Sequence, residues 1–113
     1  MDLRVQQALR LISEDVRCPL RLKEIARGVN LSMPRLRYLF KAEIGTTPAQ
    51  YLKSLRMQKA KELLEGTFLN VKQIMLQVGL KDQSHFVRDF RELYGFTPTE
   101  YRRNNHSQPK ALT

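Results

Sequence analysis

One stretch of the chain places amide, hydroxyl and guanidinium groups on a single face of a predicted helix, namely those of Gln83, Ser84, Val87, Arg88 and Arg91. Val87 adds one small apolar contact to these polar groups. Such groups can bond to base edges in the major groove of DNA. A solvated helix face has the same polarity, so this one stripe leaves both interpretations open.

The helix that must position this stripe is predicted to run from Gln83 to Tyr94, after an Asp82 cap and before Gly95. Phe86, Phe90 and Leu93 recur on another face at helical spacing. That face should therefore be buried against the rest of the protein.

Composition narrows the class of protein. The 113 residues carry a net charge of +9, which favours a polyanionic partner such as nucleic acid. No apolar run is long enough for a membrane span, and the N-terminus lacks the apolar centre of a signal peptide. We therefore expect a cytoplasmic protein with no membrane partner.

The single cysteine, Cys18, is expected to be a small buried or half-buried hydrophobe.

Helical periodicity dominates the whole chain and predicts an all-α fold of seven helices with two helix-turn-helix subdomains joined by a long central helix. The predicted helices are Asp2 to Val16, Leu22 to Val29, Met33 to Ile44, Pro48 to Gly66, Val71 to Val78, Gln83 to Tyr94 and Pro98 to about Arg103. The predicted domains are an N-terminal subdomain over 1–46, a linker helix over 47–66, a C-terminal subdomain over 67–103 and a disordered tail over 104–113.

The two subdomains are copies of one unit. A Gly-x-Thr-Pro-x-x-Tyr motif begins at Gly45 and again at Gly95, at the same distance from Phe40 and from Phe90. The outer stripes coincide as well, because Pro34, Arg37, Tyr38 and Lys41 align with Ser84, Val87, Arg88 and Arg91. Met33 and Arg35 flank the first stripe. Shared scaffolding with different outward side chains predicts two recognition helices for two different DNA sequences.

These motifs resemble the AraC/XylS family of bacterial transcription regulators. The most specific match is Asp82-Gln83-Ser84-His85-Phe86, followed by Arg88, Phe90, Gly95, Thr97-Pro98 and Tyr101-Arg102. The resemblance runs from about Leu9 to Arg103. Two residues depart from the family pattern: Met75 stands where alanine is usual, and Leu80 where phenylalanine is common. Both departures are apolar, and we expect them to affect packing alone.

The resemblance implies a double-stranded DNA partner, with the helices at about 33–44 and 83–94 in successive major-groove segments. The implied contacts are Met33, Pro34, Arg37 and Tyr38 in the first helix, and Gln83, Ser84, His85, Val87 and Arg88 in the second. Family members commonly contact RNA polymerase. The sequence leaves open whether this chain activates or represses transcription. They also usually carry a separate effector or dimerisation domain, so we expect a monomer from this domain alone.

Residue chemistry refines this picture. Arg37 and Arg88 are the strongest candidates for base contacts, because arginine can bond to guanine O6 and N7 together. His85 is open between DNA contact and half-buried packing. The expected phosphate contacts are Arg35, Lys41, Lys53, Arg56 and Arg91.

A non-specific or architectural basic DNA-binding protein is the alternative. An enzyme is not predicted, because the sequence has no paired carboxylates, nucleophile–base pair or phosphate loop. No cofactor and no metal site are predicted either.

The central helix would span about 27 Å, against about 34 Å between equivalent major grooves. We hypothesise that both recognition helices bind together only if the DNA bends or the protein flexes.

Overall fold

The computed structural model describes residues 1–107, which form seven α-helices and no strand. The helices are α1 (Leu3–Glu14), α2 (Leu22–Gly28), α3 (Met33–Ile44), α4 (Pro48–Gly66), α5 (Val71–Gln77), α6 (Gln83–Tyr94) and α7 (Pro98–Ser107). The all-α prediction is confirmed, and the bounds of α3, α4 and α6 match the predicted ones.

The last helix corrects one prediction. The sequence predicted that α7 ends near Arg103 and that disorder begins at Asn104, but α7 continues to Ser107. Tyr101 and Arg102 bond to the end of α4 and fix the first turns of α7, so a polar continuation can extend the helix. The rest of the predicted disordered tail lies outside the described residues.

Side-chain caps set the helix starts. Ser32 accepts from the backbone N–H of Arg35 at 3.2 Å. Asp82 accepts from the N–H of His85 at 3.0 Å. Both Thr-Pro motifs form reciprocal capping boxes: the hydroxyls of Thr47 and Thr97 accept from the residue three positions on, whose side chain accepts in return. The caps thus begin α3 and α6, and the helices that follow them, at fixed residues.

Two compact units make up the fold, the first from Met1 to Leu55 and the second beginning at Arg56. In the first unit, α1, α2 and α3 pack around an apolar core with the start of α4. Its fully buried side chains include Val5, Leu36 and Phe40. The buried face of α3 is therefore the face opposite its polar stripe.

The second unit repeats this packing with α5, α6, α7 and the second half of α4. Phe86 and Phe90 are buried, as predicted. Leu93 is not: its side chain is 55% exposed, and Tyr94 packs against the core in its place. Met75 is buried and Leu80 half-buried in this core, so the two departures from the family pattern do affect packing.

The tyrosines of the two Thr-Pro motifs show how closely the units correspond. Tyr51 meets the ring of Phe40 edge-on at a centroid distance of 5.7 Å and an interplanar angle of 73°. Tyr101 meets Phe90 at 5.7 Å and 71°. Both tyrosines are half-buried. This contact packs α3 against α4 in the first unit and α6 against α7 in the second.

Cys18 requires a second correction. Its side chain is exposed in the α1–α2 connection, and its Sγ lies 3.6 Å from Oδ2 of Asp15. The expected burial is therefore wrong. The connection turns back through Asp15, whose carbonyl accepts from the backbone N–H of Cys18 at 3.2 Å, and this turn leaves the thiol outside the core.

Candidate nucleic-acid interface

The outer face of α6 is polar and open to solvent. Gln83, Ser84 and Arg91 are exposed there, and the Arg88 side chain is 61% exposed. Val87 is half-buried among them. These five residues line one open depression, which Glu92 and Thr97 complete. The stripe predicted from spacing is therefore a continuous concave surface.

The outer face of α3 has the corresponding surface in the first unit. Arg37, Tyr38 and Lys41 are exposed and line a smaller, more apolar depression with Ala42 and Thr47. The Tyr38 side chain is 65% exposed, and the guanidinium carbon of Arg35 lies 5.6 Å from its ring centroid. A cation at this distance from a ring attracts it and limits its movement.

The two depressions occupy the same position in the repeat. Each lies along the outer face of α3 or α6 and reaches the threonine that caps the next helix, Thr47 or Thr97. The residues that line them differ. Arg88 aligns with Tyr38, Arg91 with Lys41, and Glu92 with Ala42. Each unit therefore offers the same surface with its own set of contacts.

His85 lies at the start of α6 with its side chain 62% exposed. This exposure excludes half-buried packing, which was one of its two open interpretations. Its Nδ1 lies 3.4 Å from Oδ2 of Asp82. The backbone N–H of His85, with the nearby charges of His85 and Arg88, holds the pKa of the Asp82 carboxyl below its usual value. The carboxylate therefore stays ionised as the cap of α6.

The structure does not bring every predicted site residue into a depression. Met33 is half-buried against the first core, while Pro34, Arg35 and His85 are exposed but lie outside both depressions. Sequence analysis had missed Glu92 and Ala42. Their signal was available, because each stands four residues after Arg88 or Tyr38 and so shares its helix face.

Among the described residues, no helix is long and apolar enough to cross a membrane. The same part of the chain has no group of three or more His, Cys, Asp or Glu side chains placed to hold a metal ion.

Comparison with known proteins matches residues 25–104 to a family described as a helix-turn-helix domain. The transcriptional regulator ArgR of Pseudomonas aeruginosa is 33% identical over 99 residues, which are 88% of this chain and 30% of ArgR. The lactose operon transcription activator of Staphylococcus xylosus is 32% identical over 87% of this chain and 35% of its own length. The chain thus spans about a third of the length of these curated relatives.

Solved structures agree with the sequence matches. An AraC-type DNA-binding-domain regulator from Chromobacterium violaceum superposes with a TM-score of 0.84 at 33% identity and covers 95% of both chains. The DNA-binding domain of AdpA, solved with a target DNA, superposes at 0.85 over 92% of this chain and 94% of its own. At 20% identity, AdpA supports the fold alone.

Proposed function

The chain belongs to the AraC/XylS family of transcription regulators and carries its sequence-specific DNA-binding domain, and from that premise we propose that α3 and α6 are its two recognition helices. Each would enter the major groove, in successive segments of one duplex. The observation that carries this proposal is the pair of equivalent depressions, one on each helix, lined by exposed cationic side chains. Cationic side chains on the same surface of both units favour an anionic partner over a face that is only solvated.

Arg37 and Arg88 are proposed as the main base contacts. Both are exposed in the depressions, and arginine can bond to guanine O6 and N7 with two N–H groups at once. Gln83 and Ser84 are placed at the start of α6, where side chains of recognition helices meet base edges. Val87 would contact a thymine methyl group.

The remaining cations are proposed as phosphate contacts, which set register and contribute affinity without selecting bases. Lys41 and Arg91 occupy equivalent positions in the two depressions. Arg35 and Tyr38 form a cation–π pair on α3, so Arg35 would hold Tyr38 against the DNA backbone while it neutralises a phosphate. Pro34 and Met33 offer apolar contact only, and His85 would add a contact at the start of α6.

A selection from random duplexes with the 113-residue chain tests these roles. We expect an enriched motif with a guanine at one position whose preference is lost in Arg37→Ala and another whose preference is lost in Arg88→Ala. Each loss should be about 1–3 kcal/mol of discrimination. Arg10→Ala, in the exposed face of α1, removes the same charge and should leave both preferences intact.

A uniform loss of affinity across all sequences in both variants would contradict base recognition. It would instead favour the non-specific or architectural alternative, which the net charge of +9 also supports.

We further propose that the chain acts by binding and not by catalysis, and that it works in the bacterial cytoplasm, where its DNA lies. RNA polymerase is the proposed protein partner. The domain alone would bind as a monomer, since it contains both recognition helices. Dimerisation would come from a further domain of the kind that longer family members carry.

A further inference from the structure

The acidic residue beside Arg88 contacts its guanidinium. Oδ1 of Asp89 lies 3.5 Å from Nε of Arg88, and the two side chains form an ion pair. The Arg88 side chain is 61% exposed, whereas that of Asp89 is 15% exposed. We propose that Asp89 is a positioning residue that fixes how Arg88 meets DNA and so determines base selectivity in the second unit. This inference rests on the proposed base contact of Arg88.

The position of Asp89 keeps its charge out of the groove. Neighbouring residues in a helix do not face the same way, and Asp89 is absent from the depression that Arg88 lines. Its low exposure places the carboxylate behind the DNA-facing surface. Asp89 therefore does not line the surface that meets the bases, and its proposed effect on selectivity is exerted through its contact with Arg88.

The Asp89 contact involves Nε of Arg88 and not its two terminal nitrogens. Because Asp89 engages Nε, both terminal nitrogens remain able to donate to a guanine. An arginine side chain loses much rotamer freedom when it forms a two-bond contact, and a restraint present before binding reduces that loss. At 3.5 Å the Arg88–Asp89 contact is long for a hydrogen bond. It therefore restrains the guanidinium loosely and lets it adjust when DNA binds.

The first unit lacks this arrangement at the matching positions. Tyr38 aligns with Arg88, and the half-buried Leu39 aligns with Asp89. The neighbour that restrains Tyr38 is instead the cation Arg35, located over its ring. The Asp89–Arg88 pair is thus a feature of the second recognition helix and not a requirement of the shared scaffold.

The Asp89→Asn variant tests this proposal, because it should lower the preference for guanine and raise the affinity for a random duplex. Selection from random duplexes defines the guanine assigned to Arg88, and dissociation constants are then measured for that duplex, for its single-base-pair variants and for a random duplex. We expect the guanine preference to fall by about two- to fivefold, while affinity for the random duplex rises because a negative charge is removed. A residue needed only for folding would lower both affinities and the melting temperature.

Glu14→Gln is the charge-matched control. Glu14 is exposed in α1 and lines neither depression, so its neutralisation should leave the guanine preference unchanged. In an Arg88→Ala background, Asp89→Asn should have no further effect on preference. If Asp89→Asn unfolds the chain, Asp89→Glu retains the charge and should keep most of the preference.

The outcomes separate the two proposals. Unchanged preference in Asp89→Asn, with preference lost in Arg88→Ala, would overturn the positioning role alone. Unchanged preference at every position in Arg88→Ala would overturn the proposed base contact of Arg88.

Discussion

At the scale of single residues, Arg102 illustrates how one side chain completes the second unit. Its guanidinium donates to the backbone carbonyls of Leu64 and Thr67 at 3.2 Å, and also to those of Leu63 and Leu69. These carbonyls lie at the end of α4 and in the connection to α5, where α4 offers no further N–H partners. The bonds therefore supplement the helical ones at this end of α4, where the Leu63 carbonyl also accepts from the backbone N–H of Thr67 at 3.1 Å.

We predict that Arg102→Ala lowers the free energy of unfolding by about 2–3 kcal/mol, since it leaves part-buried carbonyls without a charged donor. Arg102→Lys should recover only part of the loss, because one ammonium cannot reach carbonyls on both sides of the turn. Urea denaturation gives the measurement. A loss below about 0.5 kcal/mol, typical of ordinary surface substitutions, would mean that water replaces the guanidinium.

The Tyr101 hydroxyl predicts how the free energy of unfolding depends on pH. Burial, together with its hydrogen bond to Glu65, raises the pKa of the Tyr101 hydroxyl from 10.0 to about 12. The folded state thus holds a proton that the unfolded state loses first. The stabilisation is complete below pH 10 and is lost as pH rises towards 12. Unfolding free energies between pH 9 and 12 should fall more steeply for the wild type than for Tyr101→Phe, which lacks the hydroxyl. Parallel curves would contradict this coupling.

At the scale of helices, α2 begins without a side-chain cap. Arg21 stands at its N-cap and makes no capping hydrogen bond, whereas α3, α5 and α6 begin at Ser32, Asn70 and Asp82. Glu24 already lies three residues on, at the place where a capping box needs it.

Arg21→Ser should therefore stabilise the chain by about 0.5–1 kcal/mol. Arg21→Ala is the matched control, since it removes the same arginine and its ion pair with Glu24 without adding a hydroxyl. Thermal unfolding of the two variants measures the difference. An equal melting temperature would show that the backbone at residue 21 does not adopt a capping conformation.

The elements that sequence predicted well are those fixed by local chemistry. Ser32 and Asp82 at the helix starts, with Gly45 and Gly95 in left-handed conformation at the ends, determine α3 and α6 from a few neighbouring residues. Apolar periodicity then gave the buried faces, and the stripes opposite them followed.

The predictions that failed depended on side-chain contacts that helical periodicity does not reveal. Leu93 fits the apolar spacing of α6, yet the aromatic contacts of Tyr94 with Phe90 and Tyr101 fill that part of the core. The length of α7 depends on bonds from Arg102 to residues more than 30 positions earlier. The pair formed by Arg88 and Asp89 was also missed, because adjacent helix residues are expected to point apart.

For the molecule as a whole, the net charge of +9 should appear as a strong dependence of DNA affinity on salt. Each phosphate contact releases a condensed counterion and contributes about −0.9 to the slope of log K against log salt. Base contacts contribute affinity without the same release, so the two kinds of proposed contact should separate in a salt titration.

Lys41→Ala and Arg91→Ala should each reduce the steepness of that slope by about 1 and weaken binding equally for all sequences. Lys41→Arg retains the charge and should retain the slope. Arg37→Ala should instead alter the preference among base pairs more than it alters the slope. Fluorescence anisotropy on the selected duplex and on a random duplex, over a range of salt concentrations, gives both quantities for each variant. Equal slopes for wild type and Lys41→Ala would place Lys41 away from the phosphates, and would then leave its cation in the α3 depression without an assigned role.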